Sequence, residues 1–232
     1  VVGGVIPMLT LRARDRLDVL LTPPRPATTS YAVQRALKRA LDVVGALVLL
    51  VVLGPLLAAI ALAILLTSGP PVLYRWRVVG QGGQPFTSYK FRTMVPNADA
   101  LKPALLAQNT MRGPVFKIPN DPRVTPLGRV LRRCSLDELP QLWSVLKGDM
   151  SLVGPRPPLQ AEYAHFTEQQ RQKLAVKPGI TCLWQVSGRN HIRDFDEWVR
   201  LDLEYIRRWS LWLDLQILLR TIPAVISRRG AS

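Results

Sequence analysis

Residues 43–66 read VVGALVLLVVLGPLLAAIALAILL, an uncharged apolar run. As one straight helix it would extend about 36 Å at 1.5 Å per residue, more than the roughly 30 Å of a hydrocarbon core. Gly54-Pro55 divides it near its midpoint, so each arm reaches only about 16 Å. A proline inside a helix removes a donor and clashes with the preceding turn at a cost of about 3 kcal/mol, so a kink or reversal is expected at Gly54 and Pro55. Arg35, Lys38 and Arg39 precede the run and Arg75 and Arg77 follow it, and positive flanks prefer the cytoplasmic side. A re-entrant helix-break-helix in one leaflet satisfies both observations. A proline-kinked spanning helix satisfies the first. The run begins too far from the N-terminus, and runs too long without a small-residue cleavage site, to be a signal peptide.

Outward from this segment the chain is basic, with 31 Lys and Arg against 16 Asp and Glu and a net charge of +15. An anionic partner follows: nucleic acid, anionic lipid or a phosphorylated substrate. The two cysteines, Cys134 and Cys182, and the two histidines, His165 and His191, show none of the paired spacings of zinc sites and too few thiols for a disulfide framework. The first residue is Val1, which fits a chain that is processed, cut from a longer parent or incompletely recorded, and a longer parent with upstream membrane helices is compatible with it. Residues 22–30, TPPRPATTS, end a mixed stretch that reads as an irregular linker. The organisation expected is an N-terminal linker over 1–35, a membrane segment over 36–70 and a cytoplasmic domain over 71–232.

In that domain, residues 72–94 place β-branched and aromatic residues on both sides of a glycine-rich turn, predicting a β-hairpin. GQGG in the turn is neither a dinucleotide fingerprint nor a phosphate loop. Residues 95–126 read as loop with a short helix near 100–108, and a helix is expected over 127–133. Toward the C-terminus Phe195, Trp198, Tyr205, Trp209 and Trp212 recur at helical intervals among Arg and Asp. Such a pattern suits an amphipathic helix at a membrane interface and equally a core-facing stripe. The fold class expected is α+β, mostly helical, with a re-entrant membrane helix, a small hairpin and membrane-surface amphipathic helices.

The chemistry concentrates in SLDELPQLWSVLKGDMSLVGPRP, residues 135–157. Ser135-Leu136-Asp137-Glu138 fits a capping box, with Ser135 accepting from the third amide and Glu138 reaching back. Carboxylates in a first helical turn also sit in positive potential. Adjacent helical residues diverge by about 100°, so Asp137 and Glu138 cannot face one another as the paired acids of a glycosidase do. One carboxylate attacking phosphorus, with a divalent cation neutralising the oxygens, is chemistry that suits them. Arg132 and Arg133 precede the pair, Pro155 and Pro157 stiffen the backbone at Arg156, and Lys90 and Arg92 add charge from the hairpin.

KRALDVVGALVLL (residues 38–50), YKFRTM (89–94), LGRVLRRCSLDELPQLWSVLKGDMSLVGPRP (127–157), KPGITCLWQVSGRN (177–190) and LDLEYIRRWSLWLDL (201–215) together resemble the bacterial sugar transferases, the monotopic polyprenyl-phosphate phosphoglycosyl transferases of hexose-1-phosphate type. The resemblance implies transfer of a sugar-1-phosphate from a UDP-sugar to polyprenyl (undecaprenyl) phosphate with release of UMP, at the start of exopolysaccharide or O-antigen assembly. It implies Asp137 as nucleophile and Mg²⁺ ligand, Glu138 in support of the magnesium and the reacting phosphate, and Lys90, Arg132 and Arg156 as functional basic positions, with Arg92 beside them as a further substrate-binding residue. It also implies a re-entrant helix broken at Pro55, and a place on the cytoplasmic face of the bacterial inner membrane among its lipids. A UDP-hexose is the expected donor; no nucleic-acid partner is expected, and a homo-oligomer is compatible with the pattern. Two positions depart from smaller members of the family: Gly54 stands where a serine is common, and Cys182 where a glycine is. The rival reading is a basic, membrane-attached module that binds anionic lipid or nucleic acid without catalysis.

Overall fold

The computed structural model describes residues 29–187 and 192–226, so the expected linker falls outside it up to residue 28, as does His191. Helix α1, Thr29–Val52, runs into α2, Gly54–Ser68. The two are bent by 60° at Leu53. Pro55 lies in the first turn of α2, where its missing N–H would lack a partner in any helix. The bend therefore comes one residue ahead of Gly54-Pro55, and it is a bend, not a reversal. No single described helix is long and apolar enough to cross a membrane, although the bent pair is by length and composition.

The hairpin forms as expected, with β1 (Leu73–Val79) antiparallel to β2 (Pro85–Phe91) in the register Leu73↔Phe91 to Val79↔Pro85. Gly82 and Gly83 take positive φ in the connecting turn, which accounts for the GQGG run by turn geometry. Short helical turns fill 98–108, and α3, Pro126–Arg133, starts at Thr125, whose hydroxyl accepts from the Gly128 amide. A 3₁₀ turn, Leu136–Gln141, then leads into α4, Leu142–Lys147. Strand β3, Ser151–Val153, pairs in parallel with β4, Gly179–Thr181. Helices α5, Phe195–Arg208, and α6, Leu211–Ile226, close the chain. Mostly helical with small sheets, the fold agrees with the α+β expectation; the β3–β4 ladder was not foreseen.

Helices α1 and α2 are keyed into the domain. Ala46 of α1 packs with Leu142, Val145 and Met150, while Ile60 and Ile64 of α2 pack with Phe91 and Leu131. Arg39 donates to the Val145 and Leu146 carbonyls at the end of α4 at 2.6 and 2.8 Å, a favourable place for a cation. Buried Asp42 accepts from Ser151 Oγ and the Leu152 amide. Elsewhere α1 leaves Leu41, Val44, Leu47, Val48, Val51 and Val52 exposed.

The C-terminal aromatics divide. Phe195, Trp198, Tyr205 and Trp209 are buried, so their spacing marks a core stripe. Trp212 is 64% exposed and heads a row with Leu215, Leu219 and Ile222 on α6, all exposed. Only this last row has the character of a membrane-facing surface.

Candidate active site

A cavity of about 830 Å³ opens between the hairpin, the 3₁₀ turn, the segment around Arg156 and the start of α5. Asp137, Glu138, Lys90, Arg92, Arg132 and Arg156 all line it. Its volume is that of a small-molecule site.

The acids reach it by a route the sequence reading did not describe. Ser135 adopts a left-handed conformation, φ 53°, and makes no side-chain cap. A capping residue needs extended backbone to aim its hydroxyl at the first amides, so the expected capping box does not form. The Leu136–Gln141 turn is 3₁₀ and contains Pro140. Glu138 instead accepts from Lys90 Nζ at 2.7 Å and from Arg156 Nη1 at 3.1 Å on one oxygen, Oε1. Asp137 and Glu138 are both buried.

The basic residues separate into two groups. Lys90 and Arg156 meet at Glu138. Burial pushes the Lys90 ammonium below its usual range, a tendency that Glu138 opposes and Arg156 reinforces. For Arg156 burial also works against the charge, but Glu138 and Glu162 outweigh it and raise its pKa. Arg132, its pKa lowered by burial against the pull of Asp137, commits Nε to Thr93 Oγ1 at 2.9 Å. Among the described residues no protein group takes its terminal nitrogens, which remain able to receive an oxyanion. Arg92 is employed differently: Nη1 donates to Pro70 O, and Nη2 to Ser68 O and Gly69 O. Its terminal nitrogens thus close the end of α2, a task beside its place on the cavity wall. Arg133 is exposed.

Arg156 is placed by backbone contact. Gly154 N donates to Thr181 O and Gly179 N to Pro155 O, with the two chains so close that a Cβ on Gly154 or on Gly179 would strike the other segment's backbone. The Val79 amide donates to Pro158 O, fastening the same segment to the edge of β1. Sequence reasoning missed several wall residues: Trp76, Glu162, Trp184 and Lys173, the last paired behind the wall with Asp202 at 2.7 Å, their side chains only 2% and 1% exposed. Burial pushes the carboxyls of Glu162 and Asp202 upward. Cys182 packs in the core with Met111, Trp184 and Phe195, and burial raises its thiol far above the reactive range, so it is a packing residue.

Among the described residues no group of three or more His, Cys, Asp or Glu side chains is assembled to cage a metal. Mg²⁺ asks for less, binding through one or two carboxylates together with substrate phosphates and water. Asp137 on the cavity wall fits that requirement.

Residues 33–228 match the family description "Bacterial sugar transferase". The chain belongs to the bacterial sugar transferase family. It is 46% identical over 194 residues to "Galactosyl transferase CpsE" of Streptococcus agalactiae serotype III, covering 84% of this chain and 43% of that protein. It is 43% identical over 201 residues to "Undecaprenyl-phosphate galactose phosphotransferase" of Salmonella typhimurium, covering 85% of this chain and 42% of that one. With "UDP-glucose:undecaprenyl-phosphate glucose-1-phosphate transferase" of Caulobacter vibrioides it shares 43% over 204 residues, 84% of this chain and 71% of the other. The chain therefore spans less than half the length of the first two relatives. The matched region of this sugar transferase contains every residue placed at the cavity.

Proposed function

We propose that the chain is a phosphoglycosyl transferase moving a sugar-1-phosphate from a UDP-sugar to polyprenyl phosphate, with release of UMP. The observation that carries this reading is a buried Asp-Glu pair on the wall of a cavity lined by Lys90, Arg132 and Arg156. A module that merely attracted anions would have no use for acids there.

In the first step a carboxylate oxygen of Asp137 attacks the sugar-bearing β-phosphorus. A P–O bond forms to the protein, and the bond from that phosphorus to the oxygen bridging the α-phosphate breaks, its electron pair leaving with UMP. In the second step an oxygen of polyprenyl phosphate attacks the same phosphorus and Asp137 departs as carboxylate. Arg132 and Arg156 orient the phosphates, and Lys90 adds charge where it accumulates. The resemblance gives Glu138 to the magnesium and the reacting phosphate; its contacts also give it the task of holding Lys90 and Arg156 in place. When bound by Asp137 and donor oxygens, Mg²⁺ would supply further neutralisation of the phosphate charge. Relatives named for UDP-glucose and galactose transfer favour a UDP-hexose donor.

The same reading makes α1–α2 a re-entrant wedge in the cytoplasmic leaflet of the inner membrane. With the 60° bend at its apex, a symmetric wedge inclines each arm about 30° to the membrane plane, and fifteen residues then descend about 11 Å, less than half the hydrocarbon core.

The test is UMP release from a panel of UDP-sugars with and without polyprenyl phosphate, joined to a labelling experiment. With donor labelled in the β-phosphate and no acceptor, label is expected on the protein and is discharged by added acceptor. Asp137→Asn is expected to abolish the adduct, an amide being a poor nucleophile. Full turnover by that variant, or a phosphosugar located on another residue by mass spectrometry, would overturn the mechanism.

A further inference from the structure

Lys90 and Arg156 share one oxygen of Glu138, and both also lie over the ring of Trp76, Lys90 Nζ at 3.7 Å from its centroid and Arg156 Cζ at 5.2 Å. Trp76 is 6% exposed and lines the cavity. The hairpin register explains the meeting. Trp76 pairs with Ser88, so Lys90, two residues further along β2, is its diagonal neighbour on the same face, within reach of a long side chain. Arg156 arrives from the other side, on the segment fastened to β1 at Val79.

Two cations on one carboxylate oxygen repel each other, and removal from water sharpens the repulsion. A second carboxylate would hold them, but it would also repel an incoming diphosphate. The face of an indole attracts cations through its quadrupole and carries no net charge. We propose that Trp76 is a positioning residue: its ring holds Lys90 and Arg156 side by side as a preformed oxyanion cradle without neutralising them. The turnover readout rests on the transferase reading; the binding readout does not.

The experiment compares Trp76→Phe, which keeps a smaller π face, with Trp76→Leu, which keeps apolar bulk alone, in the full chain reconstituted in lipid nanodiscs. Trp76→Met gives the same contrast if the leucine variant does not fold. Binding of inorganic pyrophosphate, read by calorimetry, is expected to weaken about tenfold in the leucine or methionine variant and less than about threefold in the phenylalanine variant. Donor KM is expected to rise in the same order, with kcat changing less than KM. Melting temperatures of the aromatic and aliphatic variants should fall by similar amounts, because a merely structural role would follow volume rather than π character. Equal pyrophosphate binding by the phenylalanine and aliphatic variants, or no pyrophosphate binding by the parent chain, would overturn the cradle. Pyrophosphate binding that follows π character in a parent chain that releases no UMP from any UDP-sugar would instead overturn the transferase reading and leave the cradle standing.

Discussion

Removing the charge of Glu138 while keeping its shape, as Glu138→Gln, tests the electrostatic centre of the site. The side chain is 10% exposed, and its Oε1 receives Lys90 at 2.7 Å and Arg156 at 3.1 Å. Removing one partner of a buried ion pair costs about 3–5 kcal/mol. Arg156, at 29% side-chain exposure, can recover part of its hydration, so the lower figure of about 3 kcal/mol applies. For a domain of this size that is a fall in Tm of roughly 9 °C. The loss should also depend on pH. Because the folded pKa of Lys90 lies below the ordinary lysine value of 10.5, the unfolded chain binds the extra proton between those two values, and stability rises with pH across that window. Glu138 is the largest influence holding the Lys90 pKa up, so its removal extends the window downward. The destabilisation should therefore be greatest near neutrality and shrink as pH rises toward the ordinary lysine range. Differential scanning fluorimetry of both proteins from pH 7 to 10 reads this directly. A fall in Tm under about 2 °C, or one that does not narrow with rising pH, would refute the reasoning.

Arg92→Met should leave the Ser68, Gly69 and Pro70 carbonyls at the end of α2 without their donor, costing about 2–3 kcal/mol; protease susceptibility around residues 66–72 should rise, and unchanged cleavage there would show that the contact does not fasten the helix. Single cysteines at Ala32 and Thr67, in a background lacking Cys134 and Cys182, should react with an impermeant thiol reagent only after cells are opened. Labelling of one of the two in intact cells would mean that the bent pair spans the bilayer.

Much of the fold was legible because it follows from local rules. The apolar run, the proline and the flanking arginines announced α1 and α2, and alternation around a glycine turn announced β1 and β2. Register was not legible. A five-residue connection at 80–84 permits more than one pairing, and only the observed Trp76↔Ser88 pairing sets the indole diagonally beside Lys90. The Asp137-Glu138 pair and its cationic neighbours were found by motif, yet the capping reading failed at Ser135. Spacing cannot reveal that a serine will take positive φ. The contact between Gly154 and Gly179 was equally hidden, because close backbone approach between distant segments leaves only two ordinary glycines in the sequence. The C-terminal aromatics show the converse difficulty: burial of four and exposure of Trp212 depend on which helix packs against the core, and periodicity alone does not say.

Residues 90–92 of β2 and its continuation tie the bent helix pair to the cavity. Lys90 reaches Glu138 in the cavity, Phe91 packs against Ile60 and Ile64 of α2, and Arg92 closes the carbonyl end of that same helix. On the other flank Arg39 and Asp42 of α1 grip α4 and β3, the elements that stand in the chain between Asp137-Glu138 and Arg156. Polar contacts thus fix the helices at both ends of the bend, while the apolar outer face of α1 and the Leu62, Leu65 and Leu66 positions of α2 make no such commitment and stay exposed. Hydrophobic burial in lipid is indifferent to orientation along the membrane plane. The directional contacts at Arg39, Asp42 and Arg92 are therefore what would fix the height and tilt of the cavity relative to a lipid surface, and on the proposed reaction that height decides whether a polyprenyl phosphate could present its oxygen to a phosphorus held by Asp137.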